Sequence, residues 1–390
     1  MAKSQPSTPH IDRLLETCIK RGASDLHLHV GRQPTLRLHG RLRSLETKVL
    51  EPADTEAMMK AITPERAQQE LQEQGGTDFG FEFREVGRFR TAVFQQRGNL
   101  SLTLRLIPAK LFSFEEIGLP EVTKSLCRRP RGMFLVTGPT GSGKTTTLAT
   151  LIDYINREFD KHIITIEDPI EFYHPHKKSL ISQREVGVDV PSFAEALRRV
   201  LRQDPDVILV GELRDLETVE AALQAAETGH LVFGTLHTTS AHRTVTRIVD
   251  MFPTAEQERI RVMLSESLIS VLSQVLLPRK DVRGMVAAFE FLYVTNAISN
   301  LVRENKTFRI PSSIQTGKKL GMQLMDDHLL QLYREGKISD IDAIDRSHNA
   351  AEMHDRIEAS GSGLSEEAAQ AAGGVRAIAG GVPDQGEQRT

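Results

Sequence analysis

Only two cysteines occur in 390 residues, Cys18 and Cys127, and they form no Cys-x-x-Cys pair. That argues against a cysteine zinc module, and nothing points to an oxidising compartment. No uninterrupted apolar run is long enough to span a bilayer. The opening MAKSQPSTPHIDR lacks the apolar stretch of a secretory signal. One-sided charge is missing too: the formal net charge is −3, so no global field draws the chain to nucleic acid or an acidic membrane. No aromatic stacking patch stands out either. A cytoplasmic protein is expected, with no transmembrane segment and with any membrane contact made through a partner. What remains is ordinary for a globular chain, 39% hydrophobic and 26% charged, and its length suits two domains.

Residues 1–107 read as a small α+β domain. Ile11, Leu14, Leu15, Cys18 and Ile19 recur at helical spacing, with Gly22 at the expected C-cap. Leu26, Leu28 and Val30 alternate with Asp25, His27 and His29, as in a half-buried strand. Leu36, Leu38 and Leu42 form a second alternating run against Arg37, His39, Arg41 and Arg43. Residues 55–74 read as one helix, and residues 87–94 and 101–107 as strands. Residues 108–130 read as a linker region.

From Met133 the pattern changes. Short, nearly continuous apolar runs at 133–137, 162–166, 207–210 and 231–236 alternate with helical segments at 143–157, 192–202 and 216–228. That arrangement predicts a parallel sheet covered on both faces. Ile260, Leu264, Leu268, Val271 and Val275 read as a helical stripe, and residues 323–335 as a helix stopped by Gly336. This α/β domain is taken as 131–350. The Ala-, Gly- and Glu-rich stretch 351–390 should be disordered.

The chemistry concentrates in four segments. Gly138-Pro139-Thr140-Gly141-Ser142-Gly143-Lys144-Thr145 fits GxxxxGK[ST] between a strand and a helix. Its glycines let backbone N–H groups turn toward phosphates, and the helix start, including Thr146, adds partial positive charge. Lys144 should reach the β- and γ-phosphates, and the Thr145 hydroxyl should bind Mg²⁺. The strand of DPDVILVGELRD ends at Glu212, a carboxylate placed to orient the attacking water or to hold Mg²⁺ through water. The alternative is an acid balanced by Arg214. After another strand, IEDPIEF brings Glu167, Asp168 and Glu171 to the sheet's carboxyl edge, where ligands sit in open α/β sheets. GHLVFGTLHT puts His230 and His237 at opposite ends of one strand, roughly 23 Å apart. His237 is the γ-phosphate sensor candidate, and His230 suits a subunit interface or a structural role. In the first domain Arg88, Arg90, Arg97 and Arg105 are candidates for arginine fingers onto a neighbouring subunit's γ-phosphate. Asp25, His27 and His29 share a strand face, a candidate metal triad whose alternative is a structural role.

The order ASDLHL, GPTGSGKT, TIEDPIE, DPDVILVGELRDLET and AAETGHLVFGTLHT resembles the secretion and pilus ATPase superfamily. More closely it resembles the type IV pilus retraction ATPases of the PilT twitching-motility family. The resemblance spans about residues 11–344 and extends to MLSESL and SIQTGKKLGMQ. It implies a PAS-like N-terminal domain, a RecA-like P-loop ATPase domain and a homohexamer with ATP and Mg²⁺ between subunits. The carried-over roles are Walker A for 138–145, an Asp box for 167–171, a Walker B catalytic acid at Glu212, and a His box at His230 and His237. The implied partner is an inner-membrane pilus platform protein. The family's AIRNLIRE stands here as AISNLVRE, with Ser299 in place of arginine.

Three readings follow. The first is a hexameric motor that hydrolyses ATP to retract a type IV pilus. The second is a related engine, either an accessory retraction paralogue of the PilU kind, working with a paralogous ATPase, or a pilus assembly or type II secretion ATPase. The absent zinc cysteines speak against assembly and secretion. The third is a nucleotide-binding regulatory ring subunit with little turnover, which Ser299 motivates.

Overall fold

The computed structural model describes residues 10–38, 40–84, 86–107 and 111–360. The chain divides into two compact units: residues 1–111 with 168–173, and residues 112–167 with 174–390.

The first unit contains α1 (Ile11–Lys20), β1 (Asp25–Leu28), β2 (Thr35–Leu38), β3 (Arg41–Ser44), α2 (Pro52–Ile62), α3 (Glu65–Gln74), β4 (Gly76–Phe83), β5 (Gly87–Gln96) and β6 (Asn99–Ile107). Its six strands form an antiparallel sheet in the order β3-β2-β1-β6-β5-β4. Inward residues of alternating strands, Leu26, Leu28, Leu36, Phe89, Leu102 and Leu104, meet the Ile11–Leu14–Leu15–Cys18 stripe of α1. Two expectations change here. The alternating run 36–42 is not one strand but a hairpin, turned at Gly40 with φ +78°, a conformation that costs glycine least. The helix expected over 55–74 breaks at Thr63–Pro64. Thr63 is extended there, because proline disfavours a helical residue before it.

The second unit runs α4 (Phe114–Ile117), α5 (Val122–Leu126), β7 (Gly132–Thr137), α6 (Lys144–Glu158), β8 (His162–Glu167), β9 (Leu180–Glu185), α7 (Phe193–Val200), β10 (Val207–Val210), α8 (Leu216–Glu227) and β11 (Leu231–Leu236). It continues with α9 (Ala241–Asp250), α10 (Gln257–Ser267), β12 (Leu268–Pro278), β13 (Met285–Tyr293), α11 (Asn296–Arg303), α12 (Ile310–Thr316), α13 (Met325–Arg334), α14 (Asp340–Arg346) and α15 (Ala350–Glu358). The sheet order is β13-β12-β7-β11-β10-β8-β9. Every neighbouring pair is parallel except β12 with β13. Both faces are covered, which is why the strands read as continuous apolar runs. In β7, Met133 and Leu135 pack into one core with α8–α10, while Phe134 and Val136 enter the other with α6.

Two further expectations are corrected. The stripe from Ile260 to Val275 is helical only to Ser267; Leu268, Val271 and Val275 lie on β12. A strand buried on both faces loses its alternation, so its apolar run can mimic a helix face. Disorder was expected from residue 351, yet α15 spans Ala350–Glu358 and buries Met353 and Ile357 against Met325 and Leu329 of α13. The stretch 361–390 lies outside the described residues. Burial pushes the Cys18 thiol up to about 11 and Cys127 up to about 12, so both remain neutral thiols. Among the described residues, no helix is long and apolar enough to cross a membrane.

Candidate functional site

Four parallel neighbours, β7, β11, β10 and β8, deliver their carboxyl ends to one edge of the sheet. The loop from β7 to α6 occupies the first. Gly138, Gly141 and Gly143 have φ of +145°, +80° and +86°, the region in which glycine is least strained. A Cβ on Gly138 would lie 2.2 Å from the Gln274 carbonyl oxygen and 2.6 Å from Ser142 Oγ, so that position admits no side chain. Lys144 opens α6 and donates from Nζ to the carbonyls of Gly138 (2.9 Å) and Pro139 (3.1 Å). Its ammonium therefore sits over the loop, at the positive end of the α6 dipole. Thr145 and Thr146 follow in the first turn, both half-buried.

Glu212 follows β10. Gly211 before it lies where a Cβ would come within 3.2 Å of the Ile166 carbonyl oxygen and 3.4 Å of Glu167 Cα. That close approach to β8 leaves little room for a side chain at this position. Thr235 Oγ1 donates to the Gly211 carbonyl (2.5 Å) and Leu213 N–H to the Thr235 carbonyl (3.0 Å). These bonds tie the β10 loop to β11. The Glu212 carboxylate is shared: Oε1 is 3.0 Å from His237 Nε2 and Oε2 is 2.7 Å from Arg214 Nη2. Burial pushes its pKa up, but the Arg214 guanidinium and His237 outweigh that effect and hold the carboxyl below the ordinary glutamate value. The Arg214 pairing and the His237 contact at the sheet edge thus coexist. Glu167, at the end of β8, accepts from Thr165 Oγ1 (2.7 Å) and Gln183 Nε2 (3.1 Å), so its carboxylate is oriented.

The remaining expected residues divide. Asp168 and Glu171 fall in the segment that groups with the first unit, whereas Glu167 belongs to the second. His230 stands at the opposite end of β11 from His237. Its Nδ1 donates to the Ala225 carbonyl (2.9 Å) at the end of α8, a structural bond. In the first unit Arg105 Nε pairs with the buried Asp25 at 3.0 Å, and Arg88 lies over the Tyr173 ring at 4.4 Å. Arg90 and Arg97 are exposed. Because Asp25 already engages Ser24, Arg37 and Arg105, it does not converge with His27 and His29 on a cation. No metal-spaced group among the described residues includes them.

Residues outside every expected motif complete the site. Gln274 on β12, 1% exposed, donates from Nε2 to the Ser142 carbonyl (2.6 Å) and accepts from Thr147 Oγ1 (2.8 Å). Its neighbour Ser273 shares a hydrogen bond with Thr137 (2.8 Å). The available signal was a Ser-Gln pair interrupting an apolar run.

The donor set fits a magnesium–nucleotide complex. Glycines clear the cradle, a helix start and Lys144 supply positive charge, and Thr145, Glu167 and Glu212 offer the hard oxygens that Mg²⁺ prefers.

A family model described as Type II/IV secretion system protein matches residues 1–369. The chain is 51% identical over 329 residues to the type IV pilus retractation ATPase PilT of Pseudomonas aeruginosa, covering 84% of this chain and 95% of that one. It is 49% identical over 320 residues to a twitching motility protein of Neisseria gonorrhoeae, covering 82% and 86%. A crystal structure of the pilus retraction motor PilT with bound ADP superposes with a TM-score of 0.83 at 48% identity, over 89% of this chain and 99% of that one.

Proposed function

The chain belongs to the type II/IV secretion system protein family, and on that premise we propose that it is an ATPase that drives retraction of type IV pili and so twitching motility. The observation that carries this reading is the Glu212–His237 pair, 3.0 Å apart, at the same sheet edge as the phosphate loop. ATP is held by the backbone N–H groups of residues 140–145, the α6 N-terminus and Lys144. Water attacks the γ-phosphorus as the bond to the β–γ bridging oxygen breaks. Glu212, kept ionised by Arg214 and His237, accepts a hydrogen bond from that water and orients it. A carboxylate of low pKa is a weak base, so alignment is its main contribution. His237, held by Glu212, senses the γ-phosphate. Thr145, Glu212 and Glu167 would hold Mg²⁺, which would supply positive charge to the triphosphate. Thr140, Ser142, Gly143 and Thr146 line the rest of the cradle.

The active form is a homohexamer with a nucleotide at each subunit junction. One or more of Arg88, Arg90, Arg97 and Arg105 reach a neighbour's γ-phosphate. Arg90 and Arg97 are the better placed, since Arg105 is engaged with Asp25 and Arg88 is stacked on Tyr173. Asp168 and Glu171 are further carboxylates for Mg²⁺ or the attacking water. The work is delivered to an inner-membrane platform protein from the cytoplasmic side.

The test is phosphate release by the purified chain with Mg²⁺ and ATP, its mass with and without nucleotide, and the Lys144→Ala variant. Turnover, a six-subunit ring and loss of both binding and turnover in the variant are expected. A wild-type chain that neither binds nor hydrolyses ATP overturns the reading. Ser299, on α11 where the family has arginine, favours a second reading, an accessory retraction paralogue. A deletion strain that still retracts pili, but against lower load, selects it.

A further inference from the structure

The carbonyl of Ser142 must point away from the phosphates if the neighbouring N–H groups are to point toward them, and something buried has to accept that orientation. Gln274 supplies the partner. Its amide nitrogen faces the Ser142 carbonyl at 2.6 Å and its amide oxygen takes the Thr147 hydroxyl at 2.8 Å. A carbonyl only accepts, so the amide orientation is settled by chemistry. The same residue's backbone oxygen lies against the Gly138 α-carbon, and its Nε2 would be 3.3 Å from a Cβ on Gly143. Gln274 thus lies against the start of the phosphate loop with its backbone and, with its buried side chain, bonds the crown of the loop and the first turn of α6 behind it. With Gln274 only 1% exposed, no water replaces either bond, and a lost partner leaves a buried carbonyl unpaired.

We propose that Gln274 is a positioning residue for nucleotide binding: its amide clamps Ser142 and Thr147 and holds the phosphate loop in its anion-binding shape. The inference rests on the ATPase reading and assigns the affinity of its site to a residue outside the loop. Preorganised donors act without reorganising when the ligand arrives. The clamp is therefore felt in ground-state binding of the phosphates. Glu212 and His237 follow the carboxyl ends of β10 and β11, and their alignment does not pass through β12.

The experiment measures ADP affinity by calorimetry with excess Mg²⁺, steady-state ATPase kinetics and melting temperature for four full-length proteins. Gln274→Met keeps side-chain length and removes both bonds. Gln274→Glu keeps the acceptor for Thr147 and sets a carboxylate against the Ser142 carbonyl. Thr147→Val removes one bond only. ADP affinity is expected to fall about tenfold in Gln274→Met, equivalent to about 1.4 kcal/mol. The fall should be at least as large in Gln274→Glu and about threefold in Thr147→Val. KM for ATP should rise in step while kcat at saturation stays within about threefold. Folded variants that lose melting temperature but bind ADP like wild type overturn the proposal, since structure alone would then explain the contacts. If the Gln274 variants do not fold, an unchanged ADP affinity in Thr147→Val overturns it. A wild-type chain with no ADP binding fails the ATPase reading itself, which is a separate result.

Discussion

The imidazole of His237 and the carboxylate of Glu212 meet at 3.0 Å from the ends of adjacent parallel strands, 25 residues apart in sequence. Neither residue needs the other for folding, since both are partly exposed at 47% and 20% of their side-chain surface. Replacing Glu212 by glutamine keeps its shape and removes its charge. Phosphate release in Glu212→Gln should drop by about 10²-fold or more, with ADP affinity near wild type. His237→Ala should lower kcat by a smaller factor and leave the fold intact. A Glu212→Gln enzyme that turns over at the wild-type rate would remove Glu212 from the mechanism.

The Arg214 guanidinium gives a pH prediction of definite sign. Glu212 titrates below the ordinary glutamate value in the folded chain. Its ionised form is thus favoured by folding, and the associated stability is present above the ordinary value and lost as pH falls through the depressed one. In Arg214→Met burial remains and the strongest stabilising partner goes, so the carboxyl pKa should rise. The acid limb of kcat against pH should then move to higher pH than in wild type. An unmoved limb would show that another group sets it.

Glycines of the phosphate loop should not be equivalent. At Gly141 a Cβ meets nothing within 4 Å, and only the φ of +80° is unfavourable. Gly141→Ala should cost about 1–2 kcal/mol of loop strain and weaken ADP binding modestly. At Gly138 a Cβ would stand 2.2 Å from a backbone oxygen of β12, which no side-chain rotation relieves. Gly138→Ala should abolish ADP binding. Equal affinities for the two variants would contradict this placement of β12 against the loop.

The contrast between those glycines also marks where sequence reading stops. The strands that carry the P-loop, Glu212, Glu167 and His237 were legible because each is a short apolar run ending in a chemically distinctive residue. β12 was not, because burial on both faces erases the period of two, and its run joins α10 without a break. Losing β12 meant losing Gln274 and Ser273, whose roles exist only through pairing with β7. Edge strand β9 was hidden for the opposite reason: LISQRE is half polar and carries no clear pattern. The acids of IEDPIEF are contiguous in sequence, and nothing in their spacing could say that the chain passes from one unit to the other after Glu167. The hairpin at Gly40 had its glycine in plain view; alternation on both sides concealed the turn.

Glu290 on β13 is a buried acid that no motif contains. It accepts from the Ala241 N–H at 2.7 Å and from the Met325 N–H at 3.5 Å, the first residues of α9 and α13, and His348 Nε2 stands 3.8 Å away. Burial, opposed by the Ala241 N–H and His348 and reinforced by Asp326, leaves its pKa above the ordinary glutamate value. The sign therefore reverses relative to Glu212. Stability from this group is fully present below the ordinary value and is lost as pH rises through the folded one. Glu290→Gln retains an acceptor for Ala241 and carries no charge at any pH. Its melting temperature relative to wild type, compared at pH 5 and at pH 8, should be better at the higher pH. Glu290→Ala, which leaves two helix-start donors without an acceptor, should be destabilised by about 2 kcal/mol or more at both pH values. A constant offset between wild type and Glu290→Gln across that range would mean that the carboxyl does not titrate there. The hydrogen bonds alone would then account for its place in the core. Because Ala241 lies four residues beyond His237, the same Ala variant should also lower kcat more than it raises KM for ATP. Retained kcat in the folded protein would confine Glu290 to joining α9 and α13.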